Sequence, residues 1–119
     1  MRCEVEITKV FQSWWMSLSE HQQDRVAAAI GLLEDHGVEL GFPRSSAIKG
    51  SKFKHLRELR IQINGNPYRI LYAFDPRRVA ILLIGGNKGG DDRWYQKSIP
   101  KAEKLLEEHI QRLSNQAGD

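Results

Sequence analysis

The stretch Arg57-Glu58-Leu59-Arg60-Ile61-Gln62-Ile63-Asn64-Gly65-Asn66-Pro67-Tyr68-Arg69-Ile70-Leu71-Tyr72-Ala73-Phe74 decides the fold. Along 57–63 apolar and polar side chains alternate, the period of a strand with one buried face. Leu59, Ile61 and Ile63 take one side, and Glu58, Arg60 and Gln62 the other. Asn64-Gly65-Asn66-Pro67 is turn chemistry, so the next run should pair antiparallel with the first. In that run Tyr68, Ile70, Tyr72 and Phe74 share a face, while Arg69, Leu71 and Ala73 share the opposite one.

Downstream, Asp75-Pro76-Arg77-Arg78 is a second tight turn. Val79 through Ile84 is continuously apolar, which points to a central strand covered on both faces. Gly85 through Asp92 reads as a flexible loop, and Pro100 suits the first turn of a last helix. Ala102, Leu105, Leu106, His109, Ile110 and Leu113 form its stripe, and residues 115–119 are expected to fray. Upstream, residues 38–55 show no periodicity and read as a long loop ending in the basic cluster Lys49, Lys52, Lys54 and His55.

Before that loop, Ser19 and Gln22 form a capping box for a helix with inward positions Val26, Ala29, Ile30 and Leu33, and Gly37 suits its C-cap. Thr8 can cap an earlier helix carrying Phe11, Trp14, Trp15 and Leu18 at i, i+3, i+4 and i+7. That spacing favours core packing of the two tryptophans over base stacking. The near absence of a linker predicts an antiparallel hairpin of the two helices. Residues 3–7 alternate as a short strand. The predicted order is β-α-α-β-β-β-α: an α+β domain over 1–119, with a small antiparallel sheet, an N-terminal helical hairpin and a C-terminal helix, the helices on one face.

With 119 residues, 40% hydrophobic and 28% charged, the chain suits one folded domain. It has no apolar run of membrane-spanning length, and acids stand at its N-terminus where a signal peptide needs apolar residues. The expectation is a cytoplasmic protein without membrane contact. A single cysteine, Cys3, excludes an internal disulfide. The histidines (21, 36, 55 and 109) are scattered, and Asp91-Asp92 alone makes a poor cation site, so no metal is expected. Gly85-Gly86-Asn87-Lys88-Gly89-Gly90 lacks the spacing of a phosphate-cradling loop, so no nucleotide cofactor is expected.

The net charge of +3 conceals segregation. Residues 44–101 hold thirteen Lys/Arg against four Asp/Glu, whereas residues 1–43 hold three against seven. A segment at +9 is either an electrostatic footprint for a polyanion or a solvated surface. Arg57, Arg60, Arg69, Lys88 and Arg93 lie on or beside the strands, with Tyr95 and His55 near them in this topology. Arginines clustered with a tyrosine suit metal-free RNA cleavage, in which a 2′-hydroxyl attacks the adjacent phosphate and cations meet the developing charge. His55, with an unperturbed pKa of about 6.5, suits proton transfer. Each residue also has a plain structural role open to it. Arg69 can pair with Glu58, Lys88 can be a loop cation, Tyr95 can pack on the last helix, His55 can be a solvated loop residue, and Glu58 can neutralise Arg57 or Arg60.

The segments Lys49-Gly50-Ser51-Lys52, His55-Leu56-Arg57-Glu58-Leu59-Arg60, Pro67 through Asp75, and Ala80 through Tyr95 resemble the RelE/ParE superfamily of bacterial type II toxin–antitoxin systems, most closely its HigB-like, phage-derived branch. The resemblance implies a ribosome-dependent mRNA endonuclease that inhibits translation, held inactive by a cognate antitoxin that commonly carries a helix-turn-helix domain. Operator DNA would be met only through the antitoxin complex. Arg69 matches the family's strand arginine and Arg60 the basic position on the preceding strand. Lys88, Arg93 and Tyr95 fall in its basic, tyrosine-bearing segment, which Gly89, Gly90, Asp91 and Asp92 dilute here. The implied catalytic set is Arg69, Arg60, Lys88, Arg93, Tyr95, His55 and Asp92, with Asp92 an alternative base, and the implied RNA contacts are Arg57, Lys52, Lys54 and Lys97. Two other activities stay open: ParE-like inhibition of DNA gyrase, and a non-catalytic binding module in a DNA-bound repressor complex.

Overall fold

Side-chain caps start both N-terminal helices where the sequence places them. The computed structural model describes residues 2–117. After strand β1 (Val5–Ile7), the Thr8 hydroxyl accepts the Phe11 N–H at 3.0 Å and donates to the Leu83 carbonyl at 2.7 Å, so one residue both opens α1 (Lys9–Met16) and fixes it to the sheet. Ser19 and Gln22 exchange side-chain and backbone bonds at the start of α2 (Glu20–His36), and Gly37 ends it at φ 58°. A 3₁₀ turn over Gly37–Glu39 follows.

Strands β2 (Ser45–Ala47), β3 (Arg57–Ile63), β4 (Asn66–Phe74) and β5 (Ala80–Asn87) form one sheet with β1, in the order β1-β5-β4-β3-β2. The β3–β4 hairpin closes through Asn64 (φ 50°) and Gly65 (φ 80°), two left-handed residues that match the strand twist. Helix α3 (Trp94–Ala117) completes the fold. Among the described residues no helix is long and apolar enough to cross a membrane.

Several expectations are corrected. The sheet is mixed, because β1 runs parallel to β5 while the other pairings are antiparallel. The helices cover both faces. Helices α1 and α2 bury one face around Phe11, Leu33, Leu59, Ile70 and Tyr72, whereas α3 buries the other around Leu71, Ile81, Leu83 and Leu106. The α1 and α2 helices pack chiefly on β5 and β3, with Tyr68 of β4 touching both through the Trp14 ring and a bond from Gln22. Strand β5 is covered on both faces as its apolar run predicts, although β4 holds the central position.

A short edge strand, β2, lies inside the stretch read as loop; three residues cannot display a period. Gly85, Gly86 and Asn87 continue β5 rather than leaving it. Helix α3 begins six residues before Pro100, which sits inside it and withholds one intrahelical donor. It continues to Ala117, so residues 115–117 are helical rather than frayed, and 118–119 lie outside the described residues.

Candidate active site

Strand alternation and register build the site. Arg60 pairs with Arg69 and Glu58 with Leu71 across β3–β4, which sets Glu58, Arg60 and Arg69 on the face toward α3. Helix α3 lies over β5 and β4, and its first turn is seated by Trp94 against Gly86, the residue paired with Arg69. This seating carries Tyr95, the next residue, to β3.

Glu58 is the hub. Its carboxylate accepts the Tyr95 hydroxyl at 2.6 Å on one oxygen and the Ser46 hydroxyl at 2.8 Å on the other. Arg60 Nη1 lies 3.3 Å from the second oxygen, and Arg69 Nε 3.5 Å from the first. Glu58 is only 5% exposed and Arg69 6%. The Arg69 guanidinium donates from Nη1 to its neighbour's carbonyl, on Tyr68, at 2.9 Å, while its buried Nε meets the carboxylate as a charge without hydrogen-bond geometry. Arg60 is partly open to solvent, and the Lys88 ammonium stands 5.7 Å from the centre of the Tyr95 ring. A groove of about 430 Å³ leads to the carboxylate and phenol, lined by Ser46, Ala47, Ile48, Lys49, Glu58, Tyr95 and Ile99.

Burial, then the adjacent Glu58 carboxylate, raises the Tyr95 pKa, with Arg69 opposing. The phenol is therefore protonated at neutral pH and presents an acid rather than a base. The arrangement lines one groove with a phenol donor, a carboxylate and Lys49, and sets Arg60, Arg69 and Lys88 beside the phenol and carboxylate. Among the described residues no group of His, Cys, Asp or Glu could hold a metal ion.

Of the residues singled out from sequence, Arg60, Arg69, Tyr95 and Lys88 come together. Others do not join them. Arg57 is on the opposite face, where its Nε donates to the buried Ser45 hydroxyl. Lys52 pairs with Glu107 of α3 and Lys97 with Asp91, whose carboxyl that bond holds low. Lys54 and His55 are exposed, the latter edge-on to Phe53 at 6.2 Å. Asp92 and Arg93 are exposed in the turn before α3. Glu58 neutralises Arg60 and Arg69 rather than Arg57, and its contact with Tyr95 was not read from the sequence. Ser46 and Lys49 were missed as site residues because they lie in the segment read as loop; the alternation that put Glu58 beside Arg60 was the available signal for the hub.

The profile of the phage-derived Gp49-like proteins matches residues 13–107. Two candidate toxins of Mycobacterium tuberculosis are similar in sequence. HigB2 is 40% identical over 100 residues, covering 82% of this chain and 50% of that protein. HigB3 is 42% identical over 97 residues, covering 81% and 83% respectively. The chain thus spans half the length of the first relative and most of the second. The fold is shared with the Escherichia coli toxin RelE in the free state, at TM-score 0.56 and 11% identity, covering 77% of this chain and 90% of RelE. It is also shared with the toxin–antitoxin complex RelBE2 of M. tuberculosis, at 0.55 and 16%, covering 73% and 99%. The archaeal RelE–RelB complex of Pyrococcus horikoshii gives 0.53 and 22%, covering 75% and 98%. With the family profile spanning most of its length and HigB3 aligned over 83% of that protein, the chain belongs to the phage-derived Gp49-like family of HigB-type toxins on a RelE-like fold.

Proposed function

We propose that the protein is the toxin of a toxin–antitoxin pair and cleaves mRNA on the ribosome, in the cytoplasm, without metal. The observation that carries this reading is the Tyr95–Glu58 hydrogen bond at the end of a groove, flanked by Arg60, Arg69 and Lys88. In the proposed step the 2′-oxygen attacks phosphorus while its proton passes to Glu58. The bond to the 5′-oxygen breaks as Tyr95 protonates that oxygen, and Glu58 then returns a proton to the phenolate. A cyclic phosphate and a free 5′-hydroxyl result. Arg60 and Lys88 face the charge gathering on the phosphate oxygens. Arg69, sealed beneath, acts as a positioning residue that sets its guanidinium against the Glu58 carboxylate and keeps it in place. An antitoxin would silence the toxin by covering this face or by distorting it.

Because Arg69 is buried against Glu58, replacing it would strand a carboxylate and confound catalysis with folding. The discriminating variants are Arg60→Ala and Tyr95→Phe. Primer extension on cellular mRNA after brief expression should show cuts within translated codons for the wild type, abolished when initiation is stopped. Tyr95→Phe should reduce them about 10²- to 10⁴-fold, the span of a lost general acid. Growth arrest with intact mRNA would replace this reading by gyrase inhibition, and neither arrest nor cutting would leave a binding module.

A further inference from the structure

Phe42 is the most exposed large apolar side chain among the described residues, at 77%. A single exposed apolar side chain is ordinary on a protein surface, and what distinguishes this ring is its cationic neighbour. Its ring is engaged by Arg60, whose guanidinium carbon stands 5.5 Å from the ring centre. Arg60 also bonds Glu58 of the site and, through its backbone N–H, the Arg44 carbonyl just beyond Phe42. The ring is therefore tied to the chemistry by one side chain and by the backbone that leads into β2.

We propose that Phe42, backed by Arg60, is a stacking platform for a nucleobase of the single-stranded RNA whose phosphate enters the Glu58–Tyr95 groove. The proposal rests on the RNA-cleavage reading and adds a base subsite to it. An aromatic face with a guanidinium beside it is the pairing that holds unstacked bases, and Arg60 can serve base and phosphate together. A protein-docking spot would call for a contiguous apolar patch, but of the other large exposed apolar residues Ile7, Val10 and Met16 lie on β1 and α1, at the opposite edge of the sheet from β2, which leaves Val38 alone near Phe42 in sequence. The Trp14-Trp15 pair, the other aromatic candidate for stacking, is committed to the core beneath the sheet's opposite face.

The test uses short RNAs carrying the fluorescent base 2-aminopurine at successive positions, with a 2′-O-methyl block against cleavage. They are titrated with full-length protein at low salt, free and then as the message on ribosomes. Wild type should quench the fluorophore at one position. Phe42→Leu, which keeps an apolar side chain but no ring, should lose that quench and bind about 5- to 150-fold more weakly, as stacking of roughly 1–3 kcal/mol per base requires. Phe42→Trp should restore both. Arg60→Ala should weaken binding yet keep the quench at saturation, which a ring serving merely to hold Arg60 would not do. Undiminished quenching in Phe42→Leu, with RNA bound, overturns the platform alone and leaves the ring to a protein partner. Absence of RNA binding by wild type in both formats overturns the platform together with the RNA reading.

Discussion

Tyr95 and Glu58 are two residues whose properties exist only as a pair. A phenol on an exposed helical turn would ionise near pH 10; here burial and the neighbouring carboxylate hold its proton more tightly. A folded-state pKa above the unfolded one means the associated stabilisation is complete below about pH 10 and is lost as pH rises through the higher folded value. Glu58→Gln removes the charge and leaves burial, so Tyr95 should ionise at lower pH than in wild type. Ultraviolet titration at 295 nm would measure this, with Tyr95→Phe identifying the transition against Tyr68 and Tyr72. An unchanged titration would mean that Glu58 does not govern the phenol. On the proposed mechanism the same substitution removes the proton acceptor and should depress RNA cleavage at neutral pH at least about 100-fold.

At the scale of elements, the two glycines at the end of β5 govern where the helices sit. A Cβ on Gly85 would stand 2.4 Å from the Trp14 indole on one face, and one on Gly86 2.4 Å from Trp94 Nε1 on the other. Alternate side-chain positions are emptied so that each face receives one tryptophan. Gly86→Ala should destabilise the fold by about 1–3 kcal/mol through overpacking and should displace Tyr95, lowering cleavage as well. Urea unfolding would show it, and combining it with Trp94→Phe should recover part of the loss, because the smaller ring vacates the contested space. This close packing also explains what the sequence could and could not show. Strands β3 and β4 were legible down to their faces, because Leu59, Ile61, Tyr68 and Ile70 each repeat a period of two. Thr8, Ser19 and Gly37 announced helix ends through local hydrogen bonds. Gly85 and Gly86 looked like loop residues, since the reason for their smallness is a tryptophan eight or more residues away in the chain. Helix α3 was read from Pro100, a local signal, while its true start is decided by the burial of Trp94. In the site, the alternation brought Arg60 and Arg69 to one face, but no spacing rule connects Glu58 to Tyr95 across 37 residues.

For the whole molecule, the proposed cleavage site lies on the face that α3 shares, and a second buried carboxylate ties that helix to the sheet. Asp75, in the turn between β4 and β5, has a fully covered side chain that meets His109 of α3 at 2.9 Å and Arg77 Nη2 at 2.7 Å. It also accepts the backbone N–H groups of Arg77 and Val79. Arg77 reaches on to Glu6 of β1 at 2.9 Å, so one turn joins α3 to the edge of the sheet. Burial alone would push the Asp75 carboxyl up, but the bonds from His109, Arg77 and the two amides outweigh it and hold the pKa below its ordinary value. A lowered folded-state pKa contributes stability that is present above the unfolded value of about 3.9 and disappears as pH falls through the folded one. Asp75→Asn keeps the shape and one acceptor oxygen but removes the charge. It should therefore cost about 1.5–3 kcal/mol at pH 7, the worth of a hydrogen bond to an ionised group. Urea midpoints taken from pH 7 down to pH 2 should show the wild type losing its advantage below about pH 4, with the variant's acid limb flatter. Parallel limbs would mean the charge of Asp75 is not what binds α3 to the sheet. Because His109 sits on the helix that delivers Tyr95, loss of this clasp should also loosen the far end of the element that carries the proposed acid, and a fall in cleavage at a pH where the variant is still folded would register that link.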